Sequence, residues 1–218
     1  MEPAMIQTIA IAALPIIFAI TLHEAAHGYA ARHFGDPTAW EAGRITANPL
    51  KHIDPFGTIL LPILMLLLFS GGILFGWAKP VPVDFGRLRH PKADMLWVAA
   101  AGPAANLVMT LVWAALLKST WLLPVNFFTV PMTRMAEIGM AVNIALMVLN
   151  LFPLPPLDGG RIVVSLLPPR LAWRFAQLER FGFLILLVLL ASGVLSGLLD
   201  PLIQLIGDAV EFIFQIHP

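Results

Sequence analysis

Five long apolar stretches, at roughly 5–31, 56–75, 95–117, 138–167 and 181–199, constrain what this sequence of 218 residues can become. Each is close to or above the ~20 residues needed to cross ~30 Å of hydrocarbon. Hydrophobic residues make up 59% of the chain and charged ones 12%, against about 25% charged in ordinary soluble domains. One soluble core cannot hide that much apolar surface, whereas lipid tails solvate it. The expected fold is therefore an all-α polytopic membrane protein. It should have about five to six membrane segments, with a short extended or re-entrant region after the first helix. The sixth segment, 201–216, is shorter and carries Gln204, Asp208, Glu211 and Gln215 at helical spacing. That polar stripe fits a helix at the bilayer interface, or one docked on a partner. The chain reads as a single membrane-embedded domain over 1–218, with a core at about 5–168 and C-terminal helices at about 171–216.

Basic and acidic residues number 13 each, so no basic excess points to nucleic acid. Cysteine is absent, which excludes disulfides and leaves any metal to His, Asp or Glu. The first apolar run lacks a basic leader and continues into polar chemistry, so it is expected to be a retained helix. The polar segments 32–55 and 76–94 separate the first three stretches, and Val81-Pro82-Val83 within the second reads as extended chain.

The first stretch ends in His23-Glu24-Ala25-Ala26-His27. On a helix, residues four apart share a face, and two imidazoles placed so can bind one Zn²⁺. Glu24 lies beside that face, where a carboxylate can take a proton from a water attacking a carbonyl. The same pattern arises by chance in long helices, as two interfacial histidines and a snorkelling Glu. Its place in an apolar stretch argues otherwise, because ionisable residues there are costly.

A second polar island interrupts the fourth stretch at Asn150-Leu151-Phe152-Pro153-Leu154-Pro155-Pro156-Leu157-Asp158-Gly159-Gly160-Arg161. Three prolines in four residues end a helix. Irregular backbone at membrane depth persists only where protein or a wet cavity surrounds it. Asp158 sits in this break, where a carboxylate seeks a cation and a zinc with two histidines still needs a third ligand. The plainer alternative is an Asp capping the helix that starts at Gly159.

Together these segments resemble the site-2 protease family of intramembrane zinc metalloproteases. The likeness rests on HEAAH at 23–27, AGPAAN at 101–106, NLFPLPPLDGGR at 150–161, and the Gly43-Arg44 … Asn48-Pro49-Leu50-Lys51-His52-Ile53-Asp54-Pro55 segment found in small bacterial members. The resemblance implies one Zn²⁺ per chain held by His23, His27 and Asp158, Glu24 as catalytic base, and Asn150 assisting substrate or the oxyanion. Asn106 is read as binding backbone where helices pack near Gly102 and Pro103. The family implies transmembrane protein substrates, cut within the bilayer of the cell membrane. No PDZ or CBS module is visible, so regulation would come from a membrane partner or a second copy. His33, His52, His90 and His217 are expected to be solvated, and Asn48, His52 and Asp54 form a polar group with no evident mechanism.

Two other functions compete. A metal-ion transporter would use the same His and Asp residues in transit, but would have no need of Glu24 as a base. A catalytically inactive helix-binding assembly factor would not need the intact ligand set.

If every stretch crosses the bilayer, the first and fourth helices run antiparallel and His23 and Asp158 fall at opposite depths. If 56–75 dips in and returns, those helices run parallel. Lys and Arg then divide 11 to 2 between the two sides, which the positive-inside rule favours. This arrangement puts the N-terminus outside and the active site in the cytoplasmic half.

Overall fold

The computed structural model describes residues 3–60 and 79–216. Helix α1 (Pro3–His33) and the single turn α2 (Thr38–Glu41) come first. Short 3₁₀ turns follow at Pro49–Lys51 and Phe85–Arg87, flanking a π-helical turn at Pro55–Leu60. Then come α3 (Pro91–Thr120), α4 (Thr129–Leu151), α5 (Asp158–Leu166), α6 (Pro169–Ala176), α7 (Glu179–Ala191) and α8 (Val194–Phe214). No strand occurs among the described residues.

Three helices among the described residues are long and apolar enough to cross a membrane: α1 over Ala10–His33, α3 and α4. The span number rises to four if α7 and α8 count together. This is fewer than the five to six expected. The count leaves out the second stretch, and one physical reason bears on the rest. The stretch 56–75 lies mostly outside the described residues. The fifth and sixth stretches are long and apolar enough only when taken together: α7 has 13 residues, about 20 Å at 1.5 Å per residue, and meets α8 at a bend of 80°. Gly193 makes that corner with φ of +73°, a conformation that costs glycine little. The fourth stretch breaks as expected, because α4 stops at Leu151 before the prolines.

The three long helices pack as membrane helices do, through small residues that let backbones approach. Ala19 and Ala25 of α1, Ala99, Gly102 and Ala114 of α3, and Ala136 and Gly139 of α4 are buried. Ile16, Ile17 and Phe18 of α1, and Val108, Leu111 and Val112 of α3, are exposed, which suits a lipid-facing surface. A second apolar cluster ties α7 and α8 to this bundle through Leu186, Leu195, Leu199 and Val210 against Ala136, Met140 and Ile144.

Contacts fix the helix directions. His27 meets Val98, His23 meets Asn106, and the Ala19 carbonyl also meets Asn106, so α1 and α3 run antiparallel. Asn106 meets Asn143 and Trp113 packs at Gly139, so α3 and α4 are antiparallel too. Hence α1 and α4 run parallel. The link from α1 to α3 starts and ends on one side of the bundle. Its ends are pinned: Arg89 N–H donates to Phe34 O at 3.0 Å and the Arg89 guanidinium to His33 O at 2.9 Å. Further in, Lys79 N–H donates to His52 O at 2.9 Å, so residues 52 and 79 meet across the undescribed segment.

Asp36 organises the first part of this link. It is fully buried and accepts from Thr38 N–H, Thr38 Oγ1 and Asp84 N–H. Burial pushes its carboxyl upward, but those hydrogen bonds, with Arg87 nearby, outweigh it and hold the group below its ordinary value of 3.8. A lowered folded-state value means that this tie is intact above about pH 4 and is lost as pH falls further.

Candidate metal centre

His23 and His27 stand one turn apart on α1, with Nε2 atoms 3.1 Å from each other. Asp158 opens α5, and its Oδ2 lies 3.3 Å from each of those nitrogens. His23 and Asp158 are each 7% exposed. Asp158 does not cap its helix with its side chain, so the plainer reading of that residue fails; the carboxylate turns to the histidines instead. Neither Gly159 nor Gly160 has a positive φ, so neither is there to make a left-handed turn. They permit close approach: a Cβ at Gly159 would meet the Leu151 and Phe152 carbonyls, and one at Gly160 would meet the Leu154–Pro155 backbone. The glycines thus let α5 press against the proline turn and carry Asp158 to the level of α1.

The donor set suits zinc. His27 Nδ1 donates to the Val98 carbonyl at 2.7 Å, so its Nε2 offers a lone pair. Asp158 Oδ2 is buried and has no hydrogen-bond partner. Acceptor atoms that face one another need a cation between them. Tetrahedral zinc with ligands at about 2.0–2.1 Å sets ligand atoms about 3.3 Å apart, and the three separations here are 3.1, 3.3 and 3.3 Å. Among the described residues this is the group of His, Asp and Glu side chains that could hold a metal.

Glu24 lies outside the triplet. Its Oε2 accepts from Val81 N–H at 2.8 Å, so the 79–83 segment reaches the motif on α1. That segment is free of helix, as Val81-Pro82-Val83 predicts. Arg44 binds it from behind, donating to the Lys79 carbonyl at 2.9 Å. Asn150 is not drawn into the triplet; its amide donates to Leu146 O within α4 at 2.9 Å. The Asn48, His52 and Asp54 group resolves into turn chemistry: Asn48 accepts from Leu50 N–H, and Asp54 from Phe56 and Gly57 N–H. His52, expected to be solvated, is 3% exposed and bonded to Thr46 O.

The sequence pattern described as Peptidase family M50 matches residues 126–192, which include Asp158 and not the α1 motif. A Bacillus subtilis (strain 168) protein named "Putative zinc metalloprotease YwhC" is 36% identical over 205 residues, covering 93% of this chain and 90% of the relative. The chain belongs to peptidase family M50, the site-2 proteases. Two further M50-type relatives, both named "Putative zinc metalloprotease Rip2", come from Mycolicibacterium smegmatis and Mycobacterium tuberculosis H37Rv. They are 34% and 31% identical, over 83% of this chain and 66% of their own length in each case. No solved structure matches the chain. As an M50 member it is a membrane metalloprotease, and its cofactor is zinc.

Gly102, named above only where helices pack, also bears on this site. It faces both histidines, and a Cβ there would stand 2.6 Å from His23 Cε1 and from His27 Cε1. Gly102→Ala should therefore push the imidazoles aside and weaken zinc binding by about tenfold or more, a disturbance on the scale of lost outer-shell support. Gly197→Ala is the control, since nothing lies within 4 Å of its added Cβ. Metal analysis of the two purified variants checks this; equal zinc content and affinity would refute it.

Proposed function

We propose that this protease cuts transmembrane segments of membrane proteins inside the bilayer, with His23, His27 and Asp158 holding one zinc ion and Glu24 acting as base. The observation that carries the reading is the convergence of three candidate ligand atoms, one of them the unpartnered Asp158 Oδ2, among helices long enough to span a membrane. Bound zinc supplies Lewis acidity, which lowers the pKa of a water from 15.7 to about 7. The protein does the rest. Val81 N–H holds Glu24 Oε2, which leaves Oε1 to take the proton from the attacking water. Asn150 keeps one amide hydrogen beyond its bond to Leu146 and can donate to the carbonyl oxygen as it gains charge. Helical substrate must unwind locally, since its carbonyls are otherwise hydrogen-bonded. Co-expression with tagged single-pass proteins tests the reading: fragments should appear with the wild type and not with a Glu24 variant. Fragments that persist without Glu24 would refute it.

The same reading places the zinc in the cytoplasmic half and the N-terminus outside. Parallel α1 and α4, the meeting of residues 52 and 79, and the 11 to 2 division of basic residues support it. Cysteine is absent, so Lys51→Cys and Arg89→Cys report cleanly. Both should resist an impermeant thiol reagent on intact cells and react once the membrane is opened. Labelling of either from outside would overturn this orientation.

A further inference from the structure

Two asparagines, Asn106 on α3 and Asn143 on α4, are completely buried at 0% exposure in helices that otherwise suit lipid. A buried amide without partners is costly, and every side-chain nitrogen and oxygen of these two has one. Asn143 Nδ2 donates to the Gly139 carbonyl at 2.8 Å. A main-chain carbonyl only accepts, so the amide nitrogen must face it and Oδ1 must face the other way. That oxygen accepts from Asn106 Nδ2 at 2.9 Å. The same nitrogen also donates to the Ala19 carbonyl at 3.3 Å. The orientation of Asn106 is thus fixed by two independent acceptors, and its Oδ1 is left 2.5 Å from His23 Nδ1. An amide oxygen cannot donate, so Nδ1 must.

We propose that Asn106, held by Asn143, is a positioning residue that fixes the His23 proton on Nδ1 and leaves Nε2 open to the metal. This inference rests on His23 being a ligand. His27 reaches the same state through a main-chain carbonyl, Val98 O; His23 has an amide relay instead, running from α1 through α3 to a carbonyl of α4. The relay couples the tautomer and the ring orientation of one ligand to the docking of three helices. Outer partners of this kind set ligand basicity as well as direction.

The test is zinc affinity of the full-length purified chain, measured by competition with a chromophoric chelator, together with the absorption spectrum of the cobalt-loaded protein. His23→Ala should abolish tight binding; if it does not, the ligand assignment itself fails. Asn106→Leu should weaken zinc by about 10–100-fold and shift the cobalt bands. Asn106→Asp keeps an acceptor towards Nδ1 and should lose less. Asn143→Leu leaves Asn106 anchored on Ala19 O and should also lose less than Asn106→Leu. Thr110→Val, buried one turn further along α3, should leave affinity unchanged. A role in packing alone reverses the order, because apolar Leu would then be tolerated and a buried Asp would not. Asn106→Leu binding zinc as well as Asn106→Asp or better, with His23→Ala binding none, overturns the relay. If Asn106→Leu does not fold, Asn143→Leu decides: unchanged affinity and an unchanged cobalt spectrum overturn it equally.

Discussion

Glu24→Gln is expected to lower the rate of substrate cleavage by about 10²–10⁴-fold, the range for loss of a general base, while the protein keeps its zinc. The substitution is nearly isosteric. A Gln side-chain oxygen can still accept from Val81 N–H, which Glu24 holds at 2.8 Å, so the side chain has reason to stay in place. What it loses is the second carboxylate oxygen and the capacity to take a proton at neutral pH. The three acceptor atoms of His23, His27 and Asp158 are untouched, so metal content should match the wild type. Metal analysis beside a cleavage assay separates the outcomes. Zinc lost in step with activity would make Glu24 a ligand and not the base.

Asp158→Ala should weaken zinc binding by more than the about 10–100-fold seen when only outer-shell partners are removed, and Asp158→Asn should do nearly as much harm. The reason lies in what the carboxylate lacks. Its Oδ2 is buried with no hydrogen-bond donor, so the cation is the partner that compensates its charge. A neutral amide has the shape and not the charge. Its NH₂ group, if turned inward, would point donors at the metal. A linked measurement sharpens the test. Zinc that binds only the folded chain raises its melting temperature by mass action, and that zinc-dependent rise should vanish in both variants. Normal affinity and cleavage in Asp158→Asn would show that the three-ligand assignment is wrong.

Much of the site was legible in the sequence because its residue types are chemically committed. His23 and His27 sit four apart on a helix, and Asp158 sits where prolines forbid one. Few other chemistries account for such residues in apolar surroundings. The asparagines were less legible. Asn106 and Asn143 lie 37 residues apart, with no periodic signal to pair them, and a lone Asn in an apolar helix reads equally as a local backbone binder. Reading Asn106 as backbone-bound was half correct, since it does donate to Ala19 O. The signal that could have paired them is the cost of two amides in lipid-suited helices, which is lowest when each satisfies the other. Gly102 was hidden for another reason: what it does is leave space for two rings on a different helix. The bend at Gly193 escaped because it falls inside the fifth stretch, which is apolar on both sides of it, so composition registers length and misses direction. The parallel course of α1 and α4, by contrast, was legible from two signals, the need for His23 and Asp158 to lie at one depth and the 11 to 2 division of basic residues.

The hydrogen bond between His52 and Lys79 has a consequence for chain length. It brings residues 52 and 79 together, so the chain between them starts and ends at one place on the scaffold. Doubling the length of chain between two fixed points adds only about 0.6 kcal/mol of closure entropy. A change of length between residues 52 and 79 therefore need not move His23, His27 or Asp158.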